Sequence, residues 1–180
     1  MRSGPVDAAL PCDRRSWQCP ALGIGLLCGA LVATLAAAPR PWLVWNVSAS
    51  APVGLYRITS PTALTPGDMV IARVPAAWRS LAARRRYIPS TVPLVKQVAA
   101  VSGDLVCASG RTILINGRDV ARRQQSDAHG RPLPWWRGCV RLRPGAVFLL
   151  MPAPSSFDGR YFGVSDGGDI LGRARLLWAR

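Results

Sequence analysis

The sequence predicts a mainly β domain of short strands behind one N-terminal transmembrane helix. Sixteen prolines and 17 glycines in 180 residues break the chain too often for a helix bundle and suit turns joined by short strands. Apolar residues make up 49%, enough for a real core and too many for a disordered chain. Residues Ala21 to Ala38 read ALGIGLLCGALVATLAAA, with no charge among them. The length suits one compact domain plus an appendage. The resulting division is a cytoplasmic N-terminal segment (1–20), an anchor (21–38) and an extracytoplasmic β-rich domain (39–180).

The apolar run would span roughly 27 Å as a helix, close to the ~30 Å hydrocarbon core of a bilayer. Trp42 and Trp45 follow it at interfacial depth. Arg2, Arg14 and Arg15 precede it, so the positive-inside rule favours a cytoplasmic N-terminus, although Arg40 weakens the asymmetry. A cleaved signal peptide is the competing reading, because Ala36-Ala37-Ala38 has the small residues of a cleavage site. Pro39 fits that site poorly and the stretch is long for a signal core, so the balance favours a retained anchor. Gly25 to Gly29, GLLCG, matches the GxxxG helix-pairing spacing, a weak signal.

Beyond the anchor, Ala76 to Tyr87 (AAWRSLAARRRY) is the best helical candidate. Strands are expected in GDMVIARV, PLVKQVAAVSGDLV, RTILINGRDV and GAVFLLM, with Asn116-Gly117 as a hairpin turn. Of the five cysteines, Cys107 and Cys139 fall in the β-rich domain. In an oxidising compartment they invite one disulfide, the alternative being two buried thiols. No CxxC or HxxxH spacing supports a metal, and no cofactor is expected.

The formal net charge of +14 does not by itself predict a nucleic-acid partner. All but one of the 23 basic residues are Arg, all nine acidic residues are Asp, and the arginines are dispersed apart from Arg84 to Arg86. That choice reads as a coding bias, and an anionic bilayer is the better partner. The bias sharpens the chemistry. A Ser-His-Asp triad would have only His129 as its base, in DAHGRPLP, which reads as a surface loop. A lysine-dependent mechanism would have only Lys96. Lys96 lies in a strand that is apolar on both faces. It is either an edge residue reaching water or a desolvated amine acting as a general base. An unperturbed lysine is neutral in about one molecule in 2500 at pH 7, a penalty of ~4–5 kcal/mol on the barrier. Burial lowers the pKa and recovers much of it. The base then needs a hydroxyl within reach, and Ser48 and Ser50 in NVSASAPVGLYR are the candidates.

The order of these motifs resembles the type I signal peptidase family, and most of all its conjugative-transfer branch, the TraF-type peptidases. An apolar anchor, a Ser-Ala-Ser-Ala-Pro box, VKQVAAVSGD, ING, GRPLPWWRGC and SFDGRYFG follow one another along nearly the whole chain. The resemblance implies a signal-peptidase-like fold of short coiled antiparallel sheets. It implies Ser50 as nucleophile and Lys96 as general base. Ser48 would supply an oxyanion donor beside the Ser50 backbone N–H, and Ser156 would orient the lysine. Asp158 and Arg160 would form an ion pair near the site, with a more direct catalytic role for Asp158 left open. Gly103 and Asp104 match the turn after the lysine strand. Two positions depart from the pattern: Gly159 stands where the family has Ser, and Ser102 where it has Pro.

The resemblance further implies a membrane-bound propilin as substrate, small side chains at the first and third positions before the cut, and the ability to join pilin ends into a circle. The expected setting is a bacterial inner membrane, single-pass, with the catalytic domain in the periplasm beside a conjugative transfer apparatus. The rival functions are a general signal peptidase, a non-catalytic scaffold for pilus assembly and a self-cleaving repressor-type protease. The anchor counts against the last.

Overall fold

The computed structural model describes residues 15–36 and 42–180, with side chains at 23–33 in the first stretch. The expected N-terminal segment up to residue 14, Ala37 and Ala38 at the end of the apolar run, and residues 39–41 beyond it lie outside the described residues. Helix α1, Arg15–Ala36, covers most of the expected anchor, and its described side chains are exposed. Among the described residues no helix is long and apolar enough to cross a membrane.

Residues Pro41–Arg180 form one compact unit. Its strands are β1 (Leu43–Asn46), β2 (Gly54–Thr59), β3 (Met69–Ala72), β4 (Leu94–Ala100), β5 (Leu105–Ser109), β6 (Thr112–Ile115), β7 (Arg118–Arg122), β8 (Gly138–Arg141), β9 (Phe148–Leu150) and β10 (Ile170–Ala179). Two short helices, α2 (Ala76–Arg84) and α3 (Gly159–Phe162), and a 3-10 turn at Gly167–Asp169 complete the unit. One sheet has the order β1-β2-β10-β3-β4-β9 and the other β7-β6-β5-β8, and every pairing is antiparallel. The mainly β expectation is met.

Each sequence-predicted strand has a local cause. Asn116 (φ 50°) and Gly117 (φ 80°) turn the β6–β7 hairpin in two residues, both left-handed as such a turn requires. The chain leaves β4 through Ser102-Gly103 and enters β5 at once, pinned by Asp104 accepting from the Val101 N–H at 2.9 Å. Cys107 and Cys139 sit opposite each other on β5 and β8 and are joined as a disulfide, so the free-thiol alternative falls. The longest strand, β10, was not expected from the sequence. Its core-facing positions Ile170, Gly172 and Ala174 are mostly small and alternate with Arg173 and Arg175, so it lacks the apolar run that marks β3 and β4.

Helix α2 stops three residues short of the expected Tyr87. Arg86 N–H bonds to Ala83 O at 3.0 Å and Tyr87 N–H to Ala82 O at 2.9 Å, a Schellman closure. It puts Arg86 at φ 58°, a left-handed conformation that costs a residue with a Cβ roughly 1–2 kcal/mol. Pro89 then blocks a further turn.

Two parts of the core position the site. Tyr56, Ile71, Val95 and Met151 pack beneath Ala51, so the serine loop rests on the middle of the larger sheet. Phe148, Ala100, Val106 and Ile113 join the two sheets where β4 gives way to β5.

Candidate active site

The serine loop, 47–53, bridges β1 and β2. It is held from inside by Asn46, the last residue of β1, which is 6% exposed. Asn46 Nδ2 donates to the carbonyls of Ser48 at 3.0 Å, Pro52 at 3.1 Å and Ala51 at 3.2 Å. Its Oδ1 accepts the Ser48 N–H at 3.0 Å. Tyr56 Oη adds a bond to Pro52 O at 2.9 Å. One buried amide thus satisfies three carbonyls of a loop whose own backbone pairing is a single long bond from Ala51 N–H to Ser48 O at 3.4 Å. Gly54 is required for another reason than the bend. A Cβ there would lie 2.0 Å from Trp178 O, so only glycine lets β10 approach β2.

Lys96 rises from the centre of β4, between β3 and β9, and is 3% exposed. The edge-strand reading is thereby excluded. Its Nζ lies 3.1 Å from Ser50 Oγ and 2.7 Å from Ser156 Oγ. Burial pushes its pKa down to about 8, with Asp158 pulling back upward and Arg160 pushing further down. One N–H is spent on Ser156, which aims the amine at Ser50. Ser156 is itself buried, and its N–H bonds to Ala153 O at 3.1 Å.

Ser48 Oγ lies 2.9 Å from Ser50 Oγ and accepts the Ser50 N–H at 3.3 Å. The two expected oxyanion donors, the Ser48 hydroxyl and the Ser50 N–H, are therefore in contact with one another beside Ser50 Oγ, and a carbonyl oxygen would take both only by displacing the bond between them.

Asp158 and Arg160 are both buried and pair at 2.9 Å. The Asp158 carboxylate accepts from Arg160 Nε at 2.9 Å and from the N–H groups of Arg160 and Met151 at 3.1 Å each. The Arg160 guanidinium reaches the carbonyls of Met151, Ala153 and Pro154. The pair therefore stitches the 151–154 segment to α3, with Ser156 in between. Asp158 has no hydrogen bond to Lys96 or Ser50 among the described residues. Gly159 has a steric reason to depart from the serine pattern: a Cβ would lie 2.7 Å from both Leu149 O and the Phe148 ring.

Ser48, Ser50, Lys96 and Ser156 line a cleft of about 1120 Å³. Another part of its wall comes from the segment after α2 and from residues 124–133. Several of its parts were not foreseen in the sequence. Asp127 accepts from Tyr87 Oη at 2.6 Å, Arg131 Nε at 2.7 Å and the N–H groups of His129 and Arg131 at 2.9 Å each. Burial raises the Asp127 pKa, but these bonds outweigh it and hold the carboxyl well below the usual range. Trp135 and Trp136 fasten the same wall by donating to Gln124 O at 3.2 Å and Gly159 O at 2.9 Å. His129 is exposed on the rim, as its loop context suggested.

A buried amine that is neutral in a sizeable fraction of molecules near pH 8, beside a hydroxyl and two convergent donors, can deprotonate the hydroxyl and stabilise an oxyanion. Known proteins resemble this chain over most of its length. Residues 15–179 match the family model described as signal peptidase, peptidase S26. A protein named probable conjugal transfer protein TraF from Sinorhizobium fredii is 32% identical over 166 residues, covering 86% of each chain. A conjugal transfer protein TraF from Agrobacterium fabrum is 34% identical over 143 residues, covering 74% of this chain and 80% of that one. A plasmid transfer protein TraF from Escherichia coli is 29% identical over 145 residues, covering 74% and 82%. Among solved structures, a signal peptidase I from Enterococcus faecalis aligns over 63% of this chain and 98% of its own, with TM-score 0.38 and 18% identity.

Proposed function

Because the chain belongs to the S26 signal peptidase family, we propose that it is a membrane-anchored serine endopeptidase that cuts a propilin for conjugative transfer, with Ser50 as nucleophile and Lys96 as general base. The observation that carries the reading is the 3.1 Å approach of a buried amine of lowered pKa to the Ser50 hydroxyl. Neutral Lys96 takes the Ser50 proton as Oγ attacks the scissile carbonyl. The oxyanion is received by the Ser48 hydroxyl and the Ser50 N–H, each donor worth ~3–4 kcal/mol in comparable acyl transfers. Protonated Lys96 then returns the proton to the departing amine, leaving an acyl-enzyme. Attack by water completes cleavage. Attack by the amino terminus of the same pilin closes a ring, and this is the second outcome in the proposal. Ser156 keeps the amine aimed throughout, and Asp158 and Arg160 hold the segment that carries Ser156.

The conjugative setting is supported by the names of the relatives, which are transfer proteins. The proposed location is the bacterial inner membrane, with 21–38 as anchor and the catalytic unit in the periplasm. The disulfide suits an oxidising compartment. Val47 in the serine loop and Trp42, Trp45 and Trp178 on the strands and segment around it are exposed, a composition that favours a membrane interface and would keep Ser50 near a membrane-held precursor.

The test is incubation of the purified protein with candidate propilins, with mass analysis separating cleaved from circular product. Loss of both products in Ser50→Ala and Lys96→Ala is expected. Normal processing by both variants would end the dyad proposal, and no product from the unsubstituted protein with any candidate would favour the scaffold reading.

A further inference from the structure

The cleft wall formed after α2 and by residues 124–133 carries charge that the proposed dyad chemistry does not use. Besides Lys96, the charged groups lining the cleft are Arg84, Arg85, Arg86, Arg131 and Asp127, with His129 at the rim. Asp127 is spent on Tyr87 and Arg131. Arg85 is turned aside, donating to Pro132 O at 2.7 Å. Arg84 and Arg86 are exposed and have no ion-pair partner among the described residues. The lining thus offers two free guanidinium groups and no free carboxylate.

Arg86 makes this more than a consequence of composition. A preference for Arg over Lys explains which cation is used, not why any side chain stands at the left-handed closing position of a Schellman motif, where glycine is favoured. Compensation of the helix dipole does not explain it either, because Arg84 already occupies the last turn of α2. A strained residue on the wall of a cleft that holds a proposed nucleophile is a reason to look for a use of its side chain.

We infer that Arg84 and Arg86 form a carboxylate-binding subsite of the cleft, which selects peptide substrates carrying a negative charge on one side of the cut. The inference rests on the peptidase reading and names its substrate class. Guanidinium groups suit the ligand because they pair with a carboxylate in bidentate geometry. The carboxylate comes either from an Asp or Glu side chain or from the free C-terminus of the substrate.

The experiment uses the full chain carrying Ser50→Ala and a short Ala-rich peptide with a neutral fluorophore, followed by anisotropy. One arm moves a single Asp through an otherwise neutral, amidated peptide. A second arm leaves the peptide neutral and frees its C-terminus. The expected result is that one Asp position, or the free C-terminus, tightens binding about five- to tenfold over the neutral amidated peptide, and that salt erodes the gain. In Arg84→Gln/Arg86→Gly the ratio falls to about one. Glycine suits the left-handed position, so an unchanged or raised Tm shows that the fold is intact. Equal binding of all peptides, or a preference that survives the double variant, overturns the inference. Cleavage of the same peptides by the unsubstituted chain is scored separately. Charge-dependent binding without cleavage strikes only the peptidase reading, and cleavage without charge preference strikes only the subsite.

Discussion

The pH dependence of cleavage is where the structure commits most firmly. Lys96 acts as a base only when neutral, and burial sets its pKa at about 8. The neutral fraction is then about one in eleven at pH 7, one half at pH 8 and ten in eleven at pH 9. The kcat/KM for a fluorogenic peptide, which reports the free enzyme, should therefore climb about tenfold between pH 7 and pH 9 and then level off. A lysine at its ordinary 10.5 behaves differently. Its neutral fraction would rise about a hundredfold over the same interval and still be climbing at its end. The shift lowers the barrier at neutral pH by about 3 kcal/mol relative to an exposed lysine. The same shift acts on stability. Below about pH 8 both the folded and unfolded chains hold the proton, and the full burial penalty is present. Between about pH 8 and 10.5 the unfolded chain binds more protons, so the contribution of this group to stability rises with pH. Above that window the penalty is gone. A limb that rises with unit slope through pH 9.5 without a plateau would refute the argument that β3, β9 and the serine loop desolvate the amine.

Lys96→Met should abolish cleavage yet leave Tm at pH 7 unchanged or raised, by up to about 3 kcal/mol of stability, with the difference from the unsubstituted chain shrinking at pH 10. Asp158→Asn strands the buried Arg160 cation and should cost about 3–5 kcal/mol in denaturant titration, against about 1 kcal/mol or less for Asp68→Asn in the partly exposed pair with Arg173. Asn46→Ala releases the serine loop. It should lower kcat tenfold or more while costing about 1–3 kcal/mol, a split that steady-state kinetics and thermal denaturation read separately. Cys107→Ser/Cys139→Ser opens a loop closed over a sequence separation of 32 and should cost about 3–4 kcal/mol; no change in midpoint would count against a stabilising bridge.

The features legible in the amino-acid order are those written in local pattern. The strands β3 to β7 and β9 announce themselves by apolar runs between turn residues, and Asn116-Gly117 by the two left-handed conformations that a tight hairpin needs. The single lysine stood out because the chain otherwise uses arginine, and the motif order pointed to Ser48, Ser50, Ser156, Asp158 and Arg160. Local pattern failed where the cause lies in another part of the chain. Strand β10 takes its pairing from β2 and β3, and α2 ends in a closure that allows Arg86 a conformation no propensity predicts. The character of Lys96 comes from packing. Its neighbours in sequence allowed either a solvated edge or a buried base. The choice came from β3 and β9 pairing on both sides and from Ser156, 60 residues away, which takes one of its protons. Desolvation is a property of everything packed around a charge, so it cannot be read from the residues that carry the charge. Asn46, four residues before Ser50, follows the same logic: its amide has meaning only once the loop has folded over it.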